Sequence, residues 1–254
     1  MKKLRRRDTT NNMFFSLSGR EKAVLILKGA GVVLLIDYCF YHSLAAVIFL
    51  FPVGCWFYDS EKKGLLQRKK QEARWQFKEM LLLATAGQRA GYSAENAFLN
   101  SYGDMADLYG RESAVCNMLR EIKSGLANRI PSPELWKRIG EESGIEEIKE
   151  FSEVYAIARL SGGNMTAVME RTAQTISNKA QTQREIETIL SARRLEQKIM
   201  NGMPFLLVLY VKLTSPGYFD GMYHSLSGGI VMTVCLCIYL GAYLAGVRAA
   251  SIRV

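Results

Sequence analysis

Glu141, Glu142, Glu146 and Glu147 place four carboxylates around Gly144, and Asp104 and Asp107 form a second acidic pair. Carboxylates grouped this way suggest a divalent-cation site or an acid/base pair. At a helix boundary, however, a solvated acidic first turn complements the helix dipole, and that plainer reading fits both clusters. The rest of the catalytic inventory is sparse. The chain has no G-x-x-x-x-G-K-[ST] phosphate loop, no C-x-x-C and no H-E-x-x-H. Its two histidines, His42 and His224, both fall in short segments between apolar runs. Cys235 and Cys237, two positions apart on a helix, point to nearly opposite sides and cannot share a metal ion. The sequence therefore assigns no catalytic residue, metal ligand or cofactor site. Trp75 and Trp136 read as packing residues of a core or a membrane-facing surface. The basic group Arg68, Lys69, Lys70 and Arg74 reads as a lipid-facing anchor that is also able to meet an acidic protein.

The elements that carry these residues separate by charge. The 254 residues have a net charge of +9, with nearly all of the charge in the middle and nearly all of the long apolar runs outside it. Residues 1–58 sum to +5, 59–198 to +2 and 199–254 to +2. A soluble domain and a pure membrane bundle both fit poorly, and the expectation is a membrane protein with a large aqueous domain. Most of the positive excess lies beside apolar spans, where lipid and insertion orientation account for it, so nucleic acid is not an expected partner. Cys116 is the one cysteine of the central segment, which excludes a disulfide framework there and points to a reducing compartment.

The apolar block 23–58 exceeds one span, since a bilayer core takes about 20 helical residues. Asp37 and Tyr41-His42-Ser43 divide it into a hairpin of Ala23–Ile36 and Leu44–Tyr58. A third span, Ile199–Leu213, is expected to be interrupted by Gly202 and Pro204, and a fourth, Gly229–Val247, carries no charge. Lys and Arg flank the spans on the side of residues 1–22 and 59–198, whereas the loops around His42 and Thr214–Gly228 have none. The positive-inside rule then places both termini and residues 59–198 in the cytoplasm, with Lys212 the one charge against it. The expected fold is an all-α membrane protein with four transmembrane helices and one cytoplasmic helical bundle. Its parts are a basic leader (1–22), an N-terminal hairpin (23–58), the bundle (59–198) and a C-terminal hairpin (199–254).

Within 59–198 the apolar residues recur at helical spacing. Examples are Val115, Met118, Leu119, Ile122 and Leu126; Phe151, Val154, Tyr155 and Ala158; and Met165, Val168, Met169, Thr172 and Ile176. Breaks at Gly91, Gly103 to Gly110, Pro131-Ser132-Pro133 and Gly162-Gly163 divide the segment into about six helices. Two of the breaks echo each other. Gly91-Tyr92-Ser93 and Gly162-Gly163-Asn164 each follow a helix with glycine and then supply a residue able to cap the next helix. Each reads as a helix-turn-helix corner, with glycine in the left-handed conformation and Ser93 or Asn164 accepting from free N–H groups.

The order of these features resembles the type II secretion system F domain. Leu81–Ala97 is similar to that family's first corner motif and Ala158–Met169 to its second. Met203-Pro204, then Thr214-Ser215-Pro216-Gly217-Tyr218, then a glycine-started final span, resemble its closing hairpin. A single cytoplasmic copy preceded by a membrane hairpin is similar to the tight-adherence pilus assembly proteins B and C. The resemblance implies a non-enzymatic inner-membrane platform that couples a cytoplasmic hexameric ATPase to movement of pilin or pseudopilin subunits, beside a sister platform protein or further copies of itself. On this reading Gly91, Ser93, Gly162, Gly163, Asn164, Pro204 and Pro216 are family-motif residues shaping corners. Two other readings stay open: a membrane-bound sensor or transporter subunit, motivated by Lys28 and Asp37 in the first hairpin, and a membrane-anchored enzyme using the acidic clusters.

Overall fold

A computed structural model describes residues 19–40, 44–215, 217 and 226–250, with some side chains inside the first, second, seventh and eighth helices outside the description. The described residues are helical and contain no strand. In order the helices are α1 (Gly19–Phe40), α2 (Leu44–Arg89), α3 (Ala94–Tyr109), α4 (Ala114–Ala127), α5 (Ser132–Ser143), α6 (Glu146–Ser161), α7 (Met165–Thr214) and α8 (Leu226–Ala250). The all-α fold expected from the periodicity is present. The segment Tyr41-His42-Ser43, His224 and Pro216 lie outside the described residues.

No helix end marks Asp59 or Lys198. The second expected span and the helix after it form one 46-residue helix, α2, and α7 runs for 50 residues through the third expected span. Gly202 and Pro204 do not interrupt α7, which corrects the expected break. A mid-helix proline removes one backbone hydrogen bond and crowds the preceding turn, but it does not oblige a long helix to end. Among the described residues no helix is long and apolar enough to cross a membrane. The side chains at 35, 36, 38–40, 44–53, 226, 227, 229, 232, 244 and 247–250 lie outside them.

The described residues form two compact units. The first is Lys63–Thr182, and the second combines Gly19–Lys62 with the described part of Gln183–Val254. The first unit has one core because every stripe in it turns to the same interior. Phe77, Met80 and Leu81 of α2, Phe98 and Met105 of α3, the Val115, Met118, Leu119 and Ile122 face of α4, Trp136 and Ile139 of α5, Phe151 and Tyr155 of α6, and Met169 and Ile176 of α7 are all buried. Trp136 is its aromatic centre, 4.9 Å from Phe98, 5.1 Å from Phe151 and 5.9 Å from Phe77 between ring centroids, in tilted or edge-on arrangements. Contacts of this geometry each add about 0.5–1.5 kcal/mol beyond area burial.

Local signals set the helix ends. Ser113 Oγ accepts from Cys116 N at 3.4 Å, while Gln76 Oε1, reaching across from α2, accepts from Val115 N at 3.4 Å, so the first turn of α4 is satisfied twice. Pro133 enters α5 in its first turn, where a missing N–H costs nothing. Two expectations are corrected in this unit. Gly103 lies inside α3, which stops only at Gly110 (φ +83°), so the expected break narrows to one position. Val154 follows the helical spacing of its stripe but is exposed, because it falls at the stripe's edge, beyond Phe151, Tyr155 and Ala158.

In the second unit α1 and α2 approach closely, since a Cβ on Gly54 would stand 3.1 Å from Val33 Cγ2. Tyr239 of α8 donates to the backbone oxygen of Asn201 at 3.0 Å and stacks edge-on to Phe205 at 5.3 Å. Lys28 is exposed and Asp37 half-buried.

Candidate functional site: the paired glycine corners

The first corner forms because α2 ends on Gly91 at φ +95°, a conformation that puts an L side chain against its own backbone. That turn lets Gly91 N reach Gln88 O at 2.9 Å and Tyr92 N reach Gly87 O at 3.1 Å, satisfying carbonyls the helix leaves open. Ser93 then starts α3, its Oγ accepting from Asn96 N at 3.3 Å. The second corner repeats the design. Gly162 (φ +68°) ends α6, Gly163 N donates to Ala158 O at 2.8 Å, and Asn164 Oδ1 accepts from Ala167 N at 3.1 Å at the start of α7. The left-handed residue of this pair is Gly162 and not Gly163.

Polar contacts tie the two corners together at one end of the first unit. Arg89, at the end of α2, pairs with Glu170 of α7. Thr166 Oγ1 donates to Gln88 Oε1 at 3.2 Å. Arg159 of α6 donates to Glu95 Oε1 at 2.9 Å, which joins the end of α6 to the first turn of α3. The same Glu95 oxygen accepts from Ser132 Oγ at 2.8 Å, and buried Tyr155 donates to Ser132 Oγ at 3.2 Å. Burial raises the Tyr155 pKa most. The bond to Ser132 opposes that rise, the Glu95 charge adds to it, and Arg159 opposes it. Five of the seven motif residues, Gly91, Ser93, Gly162, Gly163 and Asn164, therefore shape adjacent corners. Pro204 lies within α7 in the second unit, and Pro216 lies outside the described residues.

The acidic clusters divide in a way their spacing does not reveal. Glu146 is exposed, but Glu147 is buried, and the expected solvated pair is corrected on that point. Glu147 Oε2 lies 2.8 Å from Arg74 Nε and its Oε1 3.2 Å from Lys179 Nζ, so one carboxylate holds α2 and α7 to α6. The Nε–H bond does not aim at the oxygen, which makes the Arg74 contact electrostatic and not a hydrogen bond. Glu142 is half-buried beside Arg138 and Glu121, and its Oε2 has no hydrogen-bond partner. Burial raises its pKa first, the charge of Glu121 adds to that, Arg138 opposes it, and Glu141 adds a little more. Asp104 and Asp107 are exposed on α3. Among the described residues no group of three or more His, Cys, Asp or Glu is placed to hold a metal ion.

Two residues of the basic cluster, Lys70 and Arg74, depart from the expected lipid-facing anchor. Lys70 donates to Gly144 O at 3.2 Å, at the left-handed end of α5, and Arg74 serves Glu147. Both turn inward because uncompensated carbonyl and carboxylate groups lie there. Sequence reading placed Tyr155 in an apolar stripe and Ser132 at a break, but gave no contact role to them or to Gln88, Arg89, Glu95, Arg159 and Glu170. Gln88, Arg89, Glu95 and Arg159 lie within a turn of a corner, Ser132, Tyr155 and Glu170 do not, and the partners of all seven are remote in sequence. The chain matches no family model, no curated protein and no solved structure.

Proposed function

We propose that this chain is a non-enzymatic platform protein of the inner or cytoplasmic membrane, of the type II secretion F-domain and tight-adherence kind. It couples a cytoplasmic hexameric assembly ATPase to insertion of pilin or pseudopilin subunits. The observation that carries this reading is the pair of glycine corners, laid side by side and joined by Arg89–Glu170 and Arg159–Glu95. A bundle locked this way transmits a push as one body, and the corner residues are those on which the sequence resemblance rests. The membrane part of the reading rests on sequence. Leu226 to Val247 contains no charged residue; at about 1.5 Å per residue such a helix is about 33 Å long, close to the thickness of a hydrocarbon core. In this proposal both termini and the first unit face the cytoplasm, with a sister platform protein or further copies of the chain beside it.

Affinity purification of the full chain from detergent-solubilised membranes, with mass spectrometry of what accompanies it, tests the proposal. Recovery of a secretion-type ATPase together with pilins or a second platform protein is the expected result. Recovery of neither, in cells that assemble the filament, overturns it.

A further inference from the structure

Pro204 leaves a gap in α7 that the helix cannot fill from its own backbone. Proline has no N–H, so the Met200 carbonyl one turn earlier loses its donor, and the pyrrolidine ring crowds the same turn. The helix nevertheless continues beyond it to Thr214. Tyr239 of α8 stands astride this turn. On the N-terminal side of the proline its hydroxyl donates at 3.0 Å to the Asn201 carbonyl, the neighbour of the one left open. On the C-terminal side its ring lies edge-on to Phe205, with centroids 5.3 Å apart. Nearer the start of α7 the two helices meet again, where a Cβ on Gly246 would stand 2.7 Å from Gln197 Nε2. α8 is thus seated on the part of α7 that precedes the proline and reaches across to the part that follows it through Tyr239.

We infer that Tyr239 is a splint over a flex point built into α7. With its hydroxyl on Asn201, α7 is one rod through Pro204; with that bond open, the segment 205–214 bends at the proline. Two features make this turn the place where α7 gives way. The missing backbone bond removes a restraint that every other turn keeps, and at Gly202 an added Cβ would meet nothing within 4 Å, so the adjoining surface of the helix is open. Where the surroundings are apolar, as Met203, Leu206 and Leu207 make them here, a neighbouring helix is the source of a donor for such a turn. The ring contact with Phe205 does not depend on the hydroxyl, so Tyr239 stays in place to close the bond again. The inference goes beyond the platform reading and holds whether or not that reading does.

Amide hydrogen exchange of the full chain in detergent, read by mass spectrometry, tests the splint. Tyr239→Phe keeps the ring against Phe205 and removes the hydroxyl alone. Exchange in the segment 205–214 should then rise roughly five-fold, the effect of one ordinary hydrogen bond, with residues 63–182 unchanged. Pro204→Ala restores a donor to Met200 and should slow exchange in 205–214. In that background the further change Tyr239→Phe should leave the exchange of 205–214 as it was. An equal rise with and without the proline would mean that Tyr239 fastens α8 to α7 generally, and overturns the inference. No rise from Tyr239→Phe alone, or a rise spread evenly over residues 63–182 as well, overturns it too, because neither places the opening at Pro204.

Discussion

Glu147 and Arg74, on α6 and α2, meet at 2.8 Å with the carboxylate buried and the guanidinium partly open to water. Lys179 completes the group from α7 at 3.2 Å. A carboxylate withdrawn from water is tolerable only where cations compensate it, so the three helices are held in one relative position by charge as well as by packing.

Loss of either cation should therefore be unequal. Arg74→Met leaves Glu147 with one partner that is itself half exposed, and should cost about 2–3 kcal/mol of unfolding free energy. Lys179→Met removes the longer and wetter contact and should cost about 1 kcal/mol. Thermal unfolding of the full chain in detergent, followed by circular dichroism, ranks the two. The reverse order would mean that Lys179 is the principal counter-ion.

At the second corner the two adjacent glycines should respond differently. Gly162 has φ +68°, so Gly162→Ala forces a Cβ into the left-handed region at about 1–2 kcal/mol. Gly163 is not left-handed, and a Cβ there would meet Ala158 Cα at 3.4 Å, an ordinary contact. Gly163→Ala should change stability by less than about 0.5 kcal/mol. Equal melting temperatures for the two variants would remove the argument that the left-handed turn fixes this corner.

Much of the helical unit was legible because its signals are local. Glycine followed by Ser93 or Asn164 specifies a stop and a start within a few residues, and the stripe of α4 needs no distant information. The partnerships across the bundle were not legible. Nothing adjacent to Glu95 reveals that Ser132 and Arg159 will converge on one of its oxygens. Nothing beside Glu147 distinguishes it from exposed Glu146, since one position on a helix is a rotation of about 100° and decides between core and water. Pro204 shows the opposite failure. Its local preference to break a helix is overridden where turns on both sides already continue α7.

The pH dependence of stability should carry a contribution of opposite sign from that of a salt-bridged carboxylate. Burial, reinforced by the nearby Glu121 charge, raises the Glu142 pKa, so the folded chain holds this proton at pH values where the unfolded chain has released it. Stability from Glu142 is therefore greatest at and below the ordinary carboxylate range and declines as pH rises through the elevated folded value. Glu142→Gln should raise the melting temperature at pH 7 and leave it nearly unchanged at pH 4. A gain of equal size at both pH values would point to shape and not to ionisation.

Arg129 gives the opposite kind of test, a substitution expected to stabilise. It sits at φ +61° just after α4, a non-glycine residue in left-handed conformation. Around it Arg129 N donates to Leu126 O and Ile130 N to Gly125 O, each at 3.0 Å, so the helix end requires the turn whatever side chain occupies it. An L residue there costs about 1–2 kcal/mol in backbone strain. Glycine relieves that strain but gives the unfolded chain more freedom, worth about 0.5–1 kcal/mol. Arg129→Gly should therefore gain about 0.5 kcal/mol net, a small but measurable rise in melting temperature. Arg129→Ala, which keeps the Cβ and loses only the charged stem, should give no gain. If alanine stabilises as much as glycine, removal of the arginine side chain is the cause and the strained turn contributes nothing.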